Sequence, residues 1–319
     1  MIPRLLVLLI IIVLLAACSS DQAETELFDL ITEADIRYKD ADFEGAIETY
    51  SEILDYSLDD EQMESTYAWR ADAYDYVGDL SAALEDYLQV YALGNRDAWL
   101  TNNICWDYAL VGQPEKGLPF CEEAVENEPT DSFNKDSRGL TYALLGDYEA
   151  AIEDFQEVVD TLQNENGVYT NSIYRTRLEW LEALKDGENP FTIEVIEELS
   201  QPDYLLLADN QIDNEMYNAA IKVLSKSIEQ DLNKIEAYYM RGLAYTQIDE
   251  PYLAIEDFDK AIEIYPEYAD AYYGRGLSYL FINENQKAIS DIKKALSLGL
   301  PPDYHEEAEK YLEQLEDSS

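Results

Sequence analysis

Histidine occurs once and cysteine three times in 319 residues, and 21 lysines and arginines face 68 aspartates and glutamates. One imidazole and three thiols leave no material for a His-based catalytic triad or a multi-ligand zinc site, so no metal and no catalytic residue is assigned. The formal charge of −47 repels phosphate backbones, which excludes nucleic acid as a partner. There is no glycine-rich phosphate loop and no activated nucleophile, so neither an enzyme nor a cofactor is expected. Asp40-Ala41-Asp42-Phe43-Glu44-Gly45 imitates the opening of a calcium loop, but its twelfth position is Ser51 rather than the bidentate Glu that calcium requires. His305 stands among Glu306, Glu307 and Glu309 and reads as a surface residue. What is abundant is apolar material, 47% of the chain, with 26 tyrosines. That supports a large core and excludes wholesale disorder.

The chain opens MIPRLLVLLIIIVLLAACSS, where Arg4 precedes an apolar run from Leu5 to Ala17. The run is shorter than the eighteen or so residues a membrane-spanning helix needs, and it reads as the apolar region of a signal peptide. Leu15-Ala16-Ala17-Cys18 resembles the lipobox of bacterial lipoproteins. The resemblance implies cleavage after residue 17 and diacylation of Cys18, with residues 18–26 as a polar tether. Two or more acyl chains suffice for stable anchoring. The expected location is the cell envelope, lipid-anchored on the extracytoplasmic side of a bacterial membrane. An ordinary secretory signal or an uncleaved anchor is the alternative.

Four segments then share one grammar: a turn, an aromatic or Leu, an Ala-Ile or Ala-Leu pair, and an apolar residue four further on. They are Gly78-Asp79-Leu80 with Ala83-Leu84 and Tyr87, Gly146-Asp147-Tyr148 with Ala151-Ile152 and Phe155, Glu250-Pro251 with Ala254-Ile255 and Phe258, and Glu284-Asn285 with Ala288-Ile289 and Ile292. Upstream lies a second apolar stripe at helical spacing, such as Tyr238, Gly242 and Tyr245. Two antiparallel helices per unit is the direct reading.

This grammar resembles the tetratricopeptide repeat, a helix–turn–helix of 34 residues. Aligned on the small residue at position twenty, seven units key on Ala46, Ala83, Gly117, Ala151, Ala220, Ala254 and Ala288. The resemblance implies an all-α, right-handed superhelix of about seven repeats in two blocks, each closed by a capping helix. The long interval after Ala151 holds an amphipathic helix at 172–186 and a Gly187-Glu188-Asn189-Pro190 break. The expected division is therefore a first array at 27–187 and a second at 188–319. One continuous superhelix with an irregular unit at 172–199 is the alternative.

Within the aligned units, Arg70, Arg138, Arg241 and Arg275 fall at position seven, and Asp86, Asp154, Asp257 and Asp291 follow each of them by sixteen residues. The other three units lack both partners. That co-occurrence reads as four structural ion pairs, each joining the two helices of one repeat. Family geometry also puts Cys105 and Cys121 on facing helix surfaces of the third repeat, which implies a disulfide; two buried thiols are the alternative.

The resemblance further implies that first-helix positions two, five, nine, twelve and thirteen line a concave groove. In the first array these are Tyr38, Asp72, Asp75, Tyr76, Trp99, Asn102, Trp106, Asp136 and Leu140. In the second they are Leu205, Asp209, Tyr239, Leu243, Tyr273, Leu277 and Phe281. Tyr76, Asn102, Trp106, Asp136, Tyr239 and Tyr273 are the candidate peptide-binding residues, with Asn102 the central one because its amide can both donate to and accept from a peptide backbone. A groove of acids and aromatics, without a basic row, favours a protein partner offering a basic or apolar segment. The expected function is a membrane-anchored interaction scaffold. The alternative is a carrier of small molecules or envelope polymers that uses the aromatics as a stacking surface. The acidity also suits a salt-adapted surface.

Overall fold

Acidic residues that look excessive in the composition recur at helix starts. Asp42, Asp59, Asp79, Asp131, Asp147 and Asp203 each accept a backbone N–H of the first turn, which satisfies donors that the helix itself leaves unpaired. Asp59 and Gln62 complete a reciprocal capping box. The computed structural model describes residues 22–163, 168–201, 203–230, 234–300 and 302–317. Among them every regular element is a helix: α1 (Gln22–Lys39), α2 (Phe43–Ile53), α3 (Asp60–Val77), α4 (Leu80–Ala92), α5 (Ala98–Leu110), α6 (Pro114–Asn127), α7 (Ser132–Leu145), α8 (Tyr148–Leu162), α9 (Val168–Lys185), α10 (Ile193–Leu199), α11 (Tyr204–Asp213), α12 (Tyr217–Glu229), α13 (Lys234–Gln247), α14 (Pro251–Ile264), α15 (Ala269–Phe281), α16 (Asn285–Leu298) and α17 (Pro302–Asp317). The architecture is an all-helical stack of tetratricopeptide type. Residues 22–26, expected as tether, are helical; Ala23, Glu24 and Glu26 are good helix formers. The leader and Cys18 lie outside the described residues. No helix among the described residues is long and apolar enough to cross a membrane.

Consecutive helices pair as hairpins, and each hairpin turn inside a repeat contains one left-handed residue. Glycine fills it at Gly78, Gly112 and Gly146, whereas Ala41, Glu215, Asp249 and Asn283 hold the same conformation with φ of 58° to 61°. Small residues set the closeness of the helices. Phe258, fully buried, is wedged between Gly242 and Gly274, where an added Cβ would approach its ring to 2.8 and 2.7 Å.

The chain divides into two compact units, the second running from Asp203 onward and also taking in residues 167–169. In the first, a core of Tyr87, Leu100 and Ile104 lies between α3, α4 and α5. A second core joins Leu140, Phe155, Trp180 and Leu181 to Phe191. Val195, Ile196 and Leu199 of α10 pack on that second core, so the chain leaves the first unit after residue 202 rather than at the expected 187/188. The Gly187 break is a turn within the unit, because Phe191 returns to pack against Trp180 at 4.8 Å between ring centroids. In the second unit, α17 covers α15 and α16 through Ala308, Tyr311 and Leu312, next to Tyr273 and Ile292.

Candidate functional site

The frame of each arginine-bearing repeat is an ion pair between its two helices. Arg70 donates through Nε to Asp86 Oδ2 at 2.7 Å and through Nη2 to Oδ1 at 2.8 Å. Arg138–Asp154, Arg241–Asp257 and Arg275–Asp291 repeat the two-point contact at 2.6 to 2.8 Å. Tyrosine rings flank these guanidinium groups, as Tyr67 and Tyr74 do for Arg70 at 5.7 and 5.8 Å. A third arm joins neighbouring repeats: Arg70 Nη1 donates to Ser51 Oγ at 2.9 Å, Arg241 Nη1 to Ser225 Oγ at 2.8 Å, and Arg275 Nη1 to Asp259. These third partners sit at one register position in the preceding repeat. The signal was present in the sequence as a polar residue there whenever an arginine follows.

Cys105 and Cys121 are disulfide-bonded, with Cα atoms 5.0 Å apart, joining α5 to α6. Gly117 allows this approach, since a Cβ there would come within 3.0 Å of the Cys105 carbonyl oxygen.

The candidate groove residues fare differently from one another. Asp136 is buried and held from α9 by Arg177, whose Nε and Nη2 reach its carboxylate at 2.8 and 2.6 Å. Leu140 is fully buried, and Trp106 is half-buried against the same core. These contacts correct the reading of Asp136 as a ligand contact: the capping helix occupies it. Tyr273 is likewise buried and donates to Glu307 of α17 at 3.1 Å. Tyr239 is buried against Phe258 and Tyr268. Tyr76 stacks on Phe43 at 4.7 Å. Phe281 is exposed. Asn102 remains distinct, because its Oδ1 is buried with no hydrogen-bond partner.

Sequence reasoning missed Asp107 on α5. It is 2% exposed, and its Oδ2 has no hydrogen-bond partner. Burial, followed by the charges of Asp75 and Asp72, pushes its carboxyl well above the usual range. Asp75 is raised by burial too, opposed by a 2.7 Å hydrogen bond from the Tyr87 hydroxyl to its Oδ2, while its Oδ1 has no partner. Tyr38 donates to Asp72 Oδ2 at 2.6 Å. The legible signal was an aspartate three residues after Ile104, on a buried stripe. No group of three or more His, Cys, Asp or Glu among the described residues is placed to hold a metal ion. The arrangement suits a hydrogen-bond donor or a cationic organic group.

Family models of the tetratricopeptide repeat match residues 235–268 and, separately, 137–161 and 269–298. Hsp70-Hsp90 organizing protein 3 of Arabidopsis thaliana is 25% identical, over 57% of this chain and 33% of its own length. The chain thus spans about a third of that relative. Among solved structures, a tetratricopeptide repeat protein of Parabacteroides merdae has 18% identity and a TM-score of 0.43, covering 91% of this chain and 99% of its own. The TPR2AB domain of yeast Sti1, solved in complex with pHSP90, has 19% identity and a TM-score of 0.34, covering 80% and 99%.

Proposed function

We propose that this tetratricopeptide-repeat protein is a lipid-anchored scaffold on the extracytoplasmic face of a bacterial membrane, holding an extended segment of a partner protein along the first unit. The observation that carries the binding part is Asn102. A buried amide oxygen without a donor costs stability in the empty protein, and a peptide N–H laid along α5 would supply that donor. Trp106, half-buried four residues further along α5, offers an adjacent apolar contact. The likeness to Hsp70-Hsp90 organizing protein 3 of Arabidopsis thaliana supports a protein-interaction role as a class and lends no partner to this chain.

The anchor rests on Leu15-Ala16-Ala17-Cys18 and on the apolar run before it. The Cys105–Cys121 bond supports an exported location, since such bonds persist in oxidising compartments. The mature chain should fractionate with membranes and carry an acylated Cys18 by mass spectrometry, and Cys18→Ser should release it. Cross-linking and recovery from membranes should yield a stoichiometric protein partner, lost in the Asn102→Ala, Trp106→Ala double variant while the helical spectrum is kept. Retention on purified wall polymer with no protein partner would instead favour a carrier.

A further inference from the structure

We propose that α17 is a displaceable cover, and that the face of α15 and α16 beneath it is a docking surface for an amphipathic helix of a partner protein. This surface belongs to the second unit and does not rest on the Asn102 reading. The face is built as a seat for a helix. Ala269, Tyr273, Ile292, Ala295 and Leu300 share one core with Ala308 of α17, and Leu277, Leu280, Tyr311 and Leu312 pack around them. Alanines on both sides of that core let a helix approach closely.

The two capping helices hold their units differently. In the first unit, α9 buries Trp180, Leu181 and Leu184 and closes the two-point contact between Arg177 and Asp136. In α17, Ala308 is the one buried side chain among those described from Tyr304 to Leu315. Tyr311, Leu312 and Leu315 are half-buried, and the others are exposed. Tyr273 reaches α17 at Glu307, a residue that is itself exposed. A segment with so little buried apolar area opens at a lower free energy than the unit as a whole. Charge acts in the same direction. The sixteen residues of α17 include seven carboxylates against Lys310 and His305, on a chain of formal charge −47, and like charges resist docking. Gly299, left-handed at φ 90°, ends α16 and gives the helix a pivot without a side chain.

The chemistry of the occupant follows from α17 and from what it leaves uncovered. Phe281 is 62% exposed one turn beyond Leu277 on the same helix, so the apolar surface continues past the part that α17 covers. A partner helix that repeats the stripe of Glu307, Ala308, Tyr311 and Leu312 satisfies Tyr273 in the same way. With fewer carboxylates elsewhere and an apolar residue over Phe281, it buries more area and meets less repulsion than α17 does.

The test uses the full mature chain carrying Ala308→Cys or, as reference in the same unit, Ala261→Cys; both alanines are fully buried. Reaction with a thiol reagent is followed site by site by mass spectrometry, and Cys105 and Cys121, bonded to each other, stay unreactive. The Ala308→Cys chain should be labelled at least about tenfold faster than the Ala261→Cys chain. A synthetic peptide of residues 302–317 should quicken the first reaction further and leave the second unchanged, because a docked copy keeps the chain's own α17 from closing. The same peptide with Ala308→Asp should have no effect. Equal labelling of the two chains, or an unchanged rate with the peptide, would overturn the proposal. If the Ala308→Cys chain does not fold, fluorescence anisotropy of the dye-labelled peptide on the unaltered chain decides. Saturation that is lost with the Ala308→Asp peptide supports the docking surface, and absence of saturation removes it.

Discussion

Arg177 on α9 closes a two-point contact with Asp136 on α7, and the side chains on both sides are about nine-tenths withdrawn from solvent. The same guanidinium lies 4.3 Å from the centroid of Trp180. The capping helix therefore docks through a buried charge pair with an aromatic cover as well as through apolar area. Truncating one member strands the other. Arg177→Ala should cost about 3–5 kcal/mol of first-unit stability in urea unfolding, whereas a cost below about 1 kcal/mol would show that the pair contributes no more than an exposed one.

Arg241 and Arg37 offer a matched comparison. Arg241 makes two bonds to Asp257 and a third to Ser225, largely shielded from water. Arg37 pairs with Glu33 one turn away at an open surface. Arg241→Ala should destabilise its unit by several kcal/mol, and Arg37→Ala by about 0.5 kcal/mol or less. Equal shifts in the two unfolding midpoints would remove the clip as a source of stability.

Reducing the Cys105–Cys121 bond frees a loop of sequence separation 16. Loop-closure entropy sets the loss at roughly 3 kcal/mol. Intact protein should resist alkylation until reductant is added, and its melting point should then fall. Rapid alkylation of both thiols in unreduced protein would contradict the bond.

Acid should favour the fold near Asp75 and Asp107. Burial first, then neighbouring charge, raises both carboxyls, with Asp72, Tyr38, Tyr76 and Tyr87 the titratable groups around them. The folded chain consequently keeps protons that the unfolded chain has lost above about pH 3.9. This contribution is complete below that value and declines as pH rises through the folded pKa. Unfolding free energies measured across a pH series should fall more gently in the Asp75→Asn, Asp107→Asn variant than in the parent. A parallel slope would mean that neither group titrates abnormally.

Much of the architecture was legible because tandem copies repeat one another. Two helices per unit follow from Ala46, Ala83 and their equivalents, and a fixed hairpin length explains why a sixteen-residue offset recurs between Arg70 and Asp86 or Arg275 and Asp291. The third arm that three of the four arginines make was legible in the same way: Ser51, Ser225 and Asp259 precede arginine repeats, while Leu88 precedes the repeat in which Ile104 replaces arginine. What was illegible lies where the repeat rule ends. Arg177 belongs to a segment outside the seven units, so no register linked it to Asp136. The passage at 202/203 was hidden because Gly187 and Pro190 look like a terminus, yet Phe191 packs back into the preceding core. Asp107 looked like one more acid in a chain of acids, and only burial distinguishes it.

The left-handed turn residues have a further consequence. In the first unit, Gly78 and Gly146 are each followed by an aspartate, Asp79 or Asp147, that caps the next helix. In the second unit, Glu215, Asp249 and Asn283 occupy the same place, and Met216, Glu250 and Glu284 after them make no capping bond through their side chains. Each such bend sets a disfavoured backbone angle, worth about 1 kcal/mol, beside a helix start that lacks a side-chain cap. Three such bends in succession give the carboxy-terminal half three built-in fraying points, where the amide protons of Tyr217, Tyr252 and Asn285 should exchange soonest.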